Sequence, residues 1–282
     1  MRRVTTMRPA LTLVELTFVI AILGIVASIG AEIIAQTYES YIVQRAQYRA
    51  TVKTELALNQ IANRLKNALP GTVITRSSIT SSGYTFITNV TNPNEQVLQW
   101  VGADSDSFEA IGSATNRRPG WSGFCDLDAS GPSTIVSPGS NLDLAVSTIS
   151  NLGGNIGDAV LYFYGTTTGS QPFSVYGISG ATGRNFTLDT AIAAGNEISE
   201  RYKLAWSSYA LSVENGDLYL YYNFTPVVGA TPGSTRALLL SGVTNFKFRG
   251  SEGAIRIKIC KEEQIGMSAS NTIHACKEKV IF

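Results

Sequence analysis

Residues 11–31 read LTLVELTFVIAILGIVASIGA, and how these 21 residues are solvated decides how the rest of the chain is held. As a helix they rise about 31 Å at ~1.5 Å each, enough to cross the hydrocarbon core of a bilayer. One residue is out of place. Glu15 sits near the start of the run, where an acid is costly: about 2.5–3.5 kcal/mol at the centre of a membrane helix, less towards an end. An acid placed there needs a role and a partner.

Upstream, MRRVTTMRPA carries Arg2, Arg3 and Arg8 and no acid. Downstream, the first charges are Glu32 and Glu39. The positive-inside bias then keeps the leader cytoplasmic and exports the chain beyond the apolar run. Two plainer alternatives remain at this point: an ordinary signal peptide cut near Ser28-Ile29-Gly30, and an uncleaved signal anchor.

Pro9-Ala10 followed by Leu11-Thr12-Leu13-Val14-Glu15-Leu16 resembles the cleavage and methylation motif of type IV pilin-like proteins. The resemblance implies a prepilin peptidase cut between Ala10 and Leu11, N-methylation of Leu11, and a role in assembly for Glu15. Gly24 matches a glycine usual in the family's apolar stretch. Ala10 stands where the family usually has glycine. Glu32 stands where many major pilins carry a kinking proline, which points to a minor subunit. Cleavage would leave an ammonium on Leu11, one helical turn from Glu15. That pair could form within one chain or between neighbouring subunits, and either would offset the desolvation of both ions.

Beyond the apolar run the helical signal continues. Tyr38, Tyr41, Ile42, Arg45, Tyr48, Val52, Leu56, Ile61, Leu65 and Leu69 recur at three- and four-residue steps, and Pro70-Gly71 stops the pattern. The reading is one helix over about residues 12–69 whose second half packs on a globular domain through that stripe. The stretch RAQYRATVKTELALNQIANRLKNAL also resembles the J-type minor pseudopilins of type II secretion and the W-type minor pilins.

After Pro70 the period changes to that of strands. Tyr84–Val90, Val97–Val101, Ala159–Tyr164, Tyr202–Val213, Leu218–Phe224, Ala237–Leu240, Phe246–Arg249 and Ala254–Ile259 are predicted strands. Glu214-Asn215-Gly216-Asp217 is a hairpin signal. Residues 104–158 and 165–200 read as turn-rich, with a short helix over Asn141–Leu152, and form an irregular insertion. The segments RALLLSGVTNFKFRG and AIRIKIC are again similar to late strands of J-type and W-type subunits. The expected fold is α+β: a long N-terminal transmembrane and stalk helix packed on an antiparallel sheet domain. The expected divisions are a leader over 1–10, a transmembrane helix over 11–34, a stalk over 35–69 and a periplasmic β-rich domain over 70–282.

Composition narrows the chemistry. Lys plus Arg is 22 and Asp plus Glu is 21, a net charge of +1 with no basic block, so nucleic-acid binding is not favoured. The single histidine, His274, rules out a multi-histidine metal centre. Of the three cysteines, Cys260 and Cys276 enclose fifteen residues near the C-terminus. Many pilins have a C-terminal disulfide loop, so the resemblance favours that pairing, worth about 3 kcal/mol in the chain-entropy model. Cys125 is left over.

Asp126-Leu127-Asp128-Ala129-Ser130-Gly131 matches the first half of a calcium loop, with Asp126, Asp128 and Ser130 as candidate ligands. The closing glutamate is replaced by Ser137, and a capped turn is the competing reading. Otherwise no cofactor is expected. Asp104, Asp106 and Glu109 form a second acidic group.

The resemblance implies a structural subunit, not an enzyme. It would be a minor pilin or pseudopilin in the initiation or tip complex of a type IV pilus-like or type II secretion filament. It would be held in the inner membrane with its C-terminal domain in the periplasm. Its partners would be the prepilin peptidase and other pilin or pseudopilin subunits. The alternative is a membrane-anchored periplasmic binding or hydrolytic domain with an uncleaved anchor, for which no catalytic constellation is evident.

Overall fold

A computed structural model describes residues 12–90, 95–113, 115, 117–168, 171–251, 253–265 and 272–282. The chain divides into two compact units: residues 1–50 with 263–273, and residues 51–262 with 274–282. A single helix, α1 (Leu13–Lys66), contributes to both.

In the first unit, α1 is apolar on nearly every side from Leu16 to Ala31, and no part of its most apolar window is buried. The hydroxyls within this stretch bond back to the helix. Thr17 donates to the Val14 carbonyl and Ser28 to the Ile25 carbonyl, which removes their need for water.

In the second unit, the last turns of α1 bury Thr54, Ala57, Leu58, Ile61, Ala62 and Leu65. The expected stripe through Tyr38, Tyr41, Tyr48 and Leu56 is corrected here, because all four are exposed. Leu56 faces away while its neighbours Ala57 and Leu58 are packed. The buried face alternates small residues, Thr54, Ala57 and Ala62, with Leu58, Ile61 and Leu65, while the bulky Leu56 falls outside. The helix also ends at Lys66, short of Leu69. The amides of Asn67 and Ala68 turn back to the carbonyls of Arg64 and Leu65. Leu69 then donates to Val101, so pairing with a strand takes over before Pro70 is reached.

Beyond the helix the chain builds three antiparallel sheets. The first runs β12-β11-β10-β3-β1-β2, with β1 at Ile74–Arg76, β2 at Thr85–Phe86, β3 at Val97–Gly102, β10 at Ser207–Glu214, β11 at Asp217–Phe224 and β12 at Arg236–Leu240. A three-stranded sheet has the order β13-β14-β15, built from Val243–Ser251, Ala254–Gln264 and Thr272–Ile281. Leu58, Ile61 and Leu65 of α1 pack with Trp100 of β3, Leu211 of β10, Leu220 of β11, and Ile257 and Ile259 of β14 in one core. The helix-on-sheet α+β arrangement expected from sequence is present in this unit.

The third sheet is the main correction. Residues expected to form an irregular insertion join the predicted strand Ala159–Tyr164 and the start of Tyr202–Val213 in a six-stranded sheet of order β4-β5-β8-β7-β6-β9. Its strands are β4 (Asp126–Gly131), β5 (Thr134–Val136), β6 (Val160–Thr168), β7 (Gln171–Thr182), β8 (Asn185–Leu188) and β9 (Tyr202–Ala205). Two helices accompany it, α2 (Ser105–Glu109) and α3 (Leu142–Asn151), the latter close to the expected Asn141–Leu152. Its own core holds Trp121, Cys125, Ile135, Ile149, Phe163, Phe186 and Tyr202. The predicted strand Tyr202–Val213 is therefore two strands. β9 pairs with β6 and β10 pairs with β3, the chain changing sheets at Trp206. Gly102 at the end of β3 lies opposite Ser207 at the start of β10. The whole third sheet is thus inserted between two paired neighbours of the first.

Smaller differences have local chemical causes. The predicted strand over Tyr84–Val90 keeps only Thr85–Phe86 and passes into a 3-10 turn at Ile87–Asn89. The Glu214–Asp217 hairpin is as read: Asn215 and Gly216 have φ of 52° and 83°, which a type I′ turn requires. Arg76 is buried, its guanidinium donating to Gln99 Oε1 and to the carbonyls of Ser81, Gly229 and Ala230. Burial lowers the pKa of this guanidinium, and carbonyl dipoles stand where a counter-ion would be.

Candidate functional site

Of the residues singled out at the N-terminus, Glu15, Gly24 and Glu32 lie on α1. From Leu13 to Ile34 every large apolar side chain is more than half exposed, from Leu16 and Val19 at 51% to Leu13 at 80%. An all-round apolar helix of this length is a membrane span by physics and a core helix only if something surrounds it. Among the described residues of its own unit nothing covers it, so this stretch could be a single membrane span.

The cleavage pair Ala10 and Leu11 lies outside the described residues. Glu15 is exposed on the first turn of α1, where its backbone N–H donates to Thr12 Oγ1 at 3.3 Å. Thr12-Leu13-Val14-Glu15 is thus a T-x-x-E capping sequence, and Glu15 stands at the third helical position, where the helix dipole favours an acid. This second role of Glu15 was readable from the spacing and was missed. Glu32 accepts from Gln36 Nε2 at 3.3 Å, and α1 runs through that position without a break. A Cβ added to Gly24 would meet nothing within 4 Å, so no contact among the described residues calls for a glycine there.

Farther along the first unit is a notch of about 210 Å³, lined by Tyr38, Tyr41, Arg45 and Arg49 of α1 with Glu263 and Ile265 among the rest. Both arginines are exposed, and among the described residues neither side chain has a hydrogen bond or ion pair.

The disulfide Cys260–Cys276 is formed, linking β14 to β15. His274 is exposed on β15. Cys125 is a free, buried thiol whose pKa burial pushes up, so it is poorly suited to nucleophilic or redox work.

The calcium candidates fall in β4. Asp126 Oδ1 accepts from the Ala129 amide, and Ser130 Oγ donates to the Asp126 carbonyl while accepting from the Val136 amide. These bonds describe a side-chain-capped strand bend, and the three oxygens are not gathered round a common point by them. No group of three or more His, Cys, Asp or Glu side chains placed to hold a metal occurs among the described residues. Asp104 of the second acidic group is a helix cap: its Oδ1 accepts from the Ser107 amide at the start of α2. Burial pushes this carboxyl up from its usual range.

Two other places could hold chemistry. Ser137 lies buried at 2.6 Å from both Ser140 Oγ and Tyr202 OH. Its remaining partners are Ser122 and the Phe124 carbonyl, so no base is present to activate it. An apolar pocket of about 400 Å³ lies between the end of α1 and the β13–β14 turn, lined by Leu65, Leu69, Phe86 and Ile255 among others. Its lining contains no nucleophile–base pair. A scan against protein-family models, and searches of curated proteins and of solved structures, found no match to the chain.

Proposed function

We propose that this chain is a minor subunit of a type IV pilin-like filament, a pilus or a type II secretion pseudopilus, and not an enzyme. It is made as a precursor, cut between Ala10 and Leu11 by a prepilin peptidase and methylated on Leu11. It sits in the inner membrane with its leader cytoplasmic and its β-rich part in the periplasm, and it assembles with other pilin-like subunits.

The observation that carries this reading is one helix with two environments. Its first part is bare and apolar all round, with an acid one turn from the expected new terminus. Its last turns are embedded in a β-sheet core. A helix of that kind needs lipid before assembly and neighbouring helices after it, because no described part of its own chain covers its first part. In the filament Glu15 meets an N-terminal ammonium and helps to set axial register, while in the membrane it is the first-turn acid of the helix that Thr12 caps.

The test is mass analysis of the N-terminal peptide from membrane-extracted protein. The expected peptide begins with methylated Leu11. A peptide beginning at Met1 or near Ala31 overturns the proposal. If a Glu15→Ala variant assembles as the parent does, the register role is wrong, whatever the outcome for the anchor.

A further inference from the structure

The three-stranded sheet β13-β14-β15 carries its charges in an unfavourable arrangement. Alternation along β13 and β14 sends Phe246, Ile257 and Ile259 into the core shared with α1 and leaves Lys247, Arg249, Arg256 and Lys258 exposed on the opposite face. The register sets Lys247 directly opposite Lys258, and Arg249 directly opposite Arg256. Like charges in that relation repel and weaken the pairing of the strands. Glu278 of β15 offsets part of this charge, reaching Arg256 at 3.1 Å, and Glu95 lines the hollow beside Lys247. Lys247 also has a further contact of its own, and Glu252, in the turn between the strands, lies outside the described residues. Among the described residues, the side chains of Arg249 and Lys258 have no hydrogen bond or ion pair. The face thus holds two rungs of paired cations with an excess of positive charge.

We infer that this face docks an extended acidic segment of a partner protein, one whose carboxylates recur at every second residue. The rungs are two residues apart along the strands, about 7 Å, and the side chains within a rung start about 5 Å apart. An extended chain laid along the groove between β13 and β14 presents alternate side chains at the same ~7 Å spacing. One carboxylate then sits between Lys247 and Lys258 and the next between Arg249 and Arg256. Each accepts from both cations of its rung, and repulsion across the strands becomes attraction to a shared anion. Among the described residues of these strands no Phe, Tyr or Trp is exposed, and Val280 is the large apolar side chain that is. The face therefore offers no ring for a nucleic-acid base to stack on and little to anchor it in a bilayer, which favours a polypeptide. None of this depends on the filament reading, since it uses neither the cleavage site nor the apolar helix.

The test is fluorescence anisotropy at low salt, with the full-length protein in nanodiscs of neutral lipid. Two labelled twelve-residue probes are compared, one alternating Glu and Thr, the other of the same composition in Glu-Glu-Thr-Thr blocks. The alternating peptide should bind at least about threefold more tightly than the blocked one, and added salt should weaken it. Arg249→Glu and Lys258→Glu should each weaken binding at least about fivefold. Arg117→Glu, the same charge change at an exposed loop position, should alter it by less than about twofold. Both reversals on the sheet place opposite charges across the strands. They should therefore not lower the melting temperature, and should raise it by up to about 3 °C. Weaker binding with equal or greater stability separates a docking face from cations that merely hold the sheet together. The proposal is overturned if neither peptide binds, if the two bind equally, or if either reversal spares binding or lowers the melting temperature. Tighter binding of a single-stranded oligonucleotide, or of phosphatidylglycerol vesicles, than of the alternating peptide overturns the assignment to a protein partner.

Discussion

Between Leu13 and Ile34 all large apolar side chains are exposed, whereas between Thr51 and Lys66 Leu58, Ile61 and Leu65 are at most 4% exposed. The more apolar stretch is the one left bare. What separates the two is pattern and not amount. The first is apolar round the whole circumference and has no polar face to turn to water, so no single-sided packing could satisfy it. The second places small and apolar residues on one side and Glu55, Asn59 and Asn63 on another. It can therefore lie on a sheet, and Lys279 of β15 reaches Asn59 while Lys277 pairs with Glu55 along its flank.

The contrast breaks most visibly at its centre. Ile61→Asp should cost about 4 kcal/mol or more, because it buries an unpaired charge among Trp100 and Ile257. The matched change Ile22→Ala should leave the unfolding of the β-sheet unit within about 0.5 kcal/mol. Chemical denaturation of both variants in nanodiscs checks this, and equal losses would erase the distinction between the two stretches. Arg76→Met comes next, with an expected loss of about 3 kcal/mol, since it strips donors from buried carbonyls at Ser81, Gly229 and Ala230. Removing the disulfide with Cys260→Ser/Cys276→Ser should cost about 3 kcal/mol in the same assay. Gly216→Ala should cost about 1 kcal/mol through the positive φ of the hairpin turn. None of the four domain changes should alter membrane extraction.

The smallest effect is a pH dependence. The Asp104 carboxyl is raised by burial, so the folded state holds its proton to higher pH than the unfolded state does. Its contribution to stability is then fully present below the unfolded value of about 3.9 and is lost as pH rises through the folded value. Asp104→Asn keeps a capping oxygen and cannot ionise. Its stability relative to the parent should therefore improve as pH rises over that window, as read from melting temperatures across a pH series. A constant difference would place the cause elsewhere.

The sequence made some of this legible and hid the rest for identifiable reasons. The apolar run, the two-residue turn at Asn215-Gly216 and the helix near Leu142–Asn151 each have a strong local signal. The third sheet does not. Its β4 strand reads DLDASG, and its β7 strand QPFSVYGISGAT contains two glycines and a proline, so turn residues outweigh strand residues where tertiary pairing decides the outcome. The Tyr202–Glu214 stretch has no turn signal at Trp206, because the chain crosses from one sheet to the next while still extended. The stripe drawn through the large residues meets the buried face at Ile61, Leu65 and Leu69 but strays from it at Tyr38, Tyr41, Tyr48 and Leu56, and it overlooks Ala57, Leu58 and Ala62. At the candidate site, Glu15 stands out by its charge. The notch at Arg45 and Arg49 does not, since residues 263–265 that complete it are more than two hundred positions away.

The nesting of the third sheet also bears on how the chain reaches its fold. Gly102 and Ser207 are paired neighbours, yet 104 residues separate them along the chain. Closing a flexible loop of that length costs roughly 3 kcal/mol more than closing a short turn. If the inserted sheet folds first, its two ends are already brought together, and β3 meets β10 almost as the arms of a hairpin would. The slow, non-local step of the first sheet thereby becomes a local one. The insertion supplies the kinetic shortcut for the sheet that it interrupts.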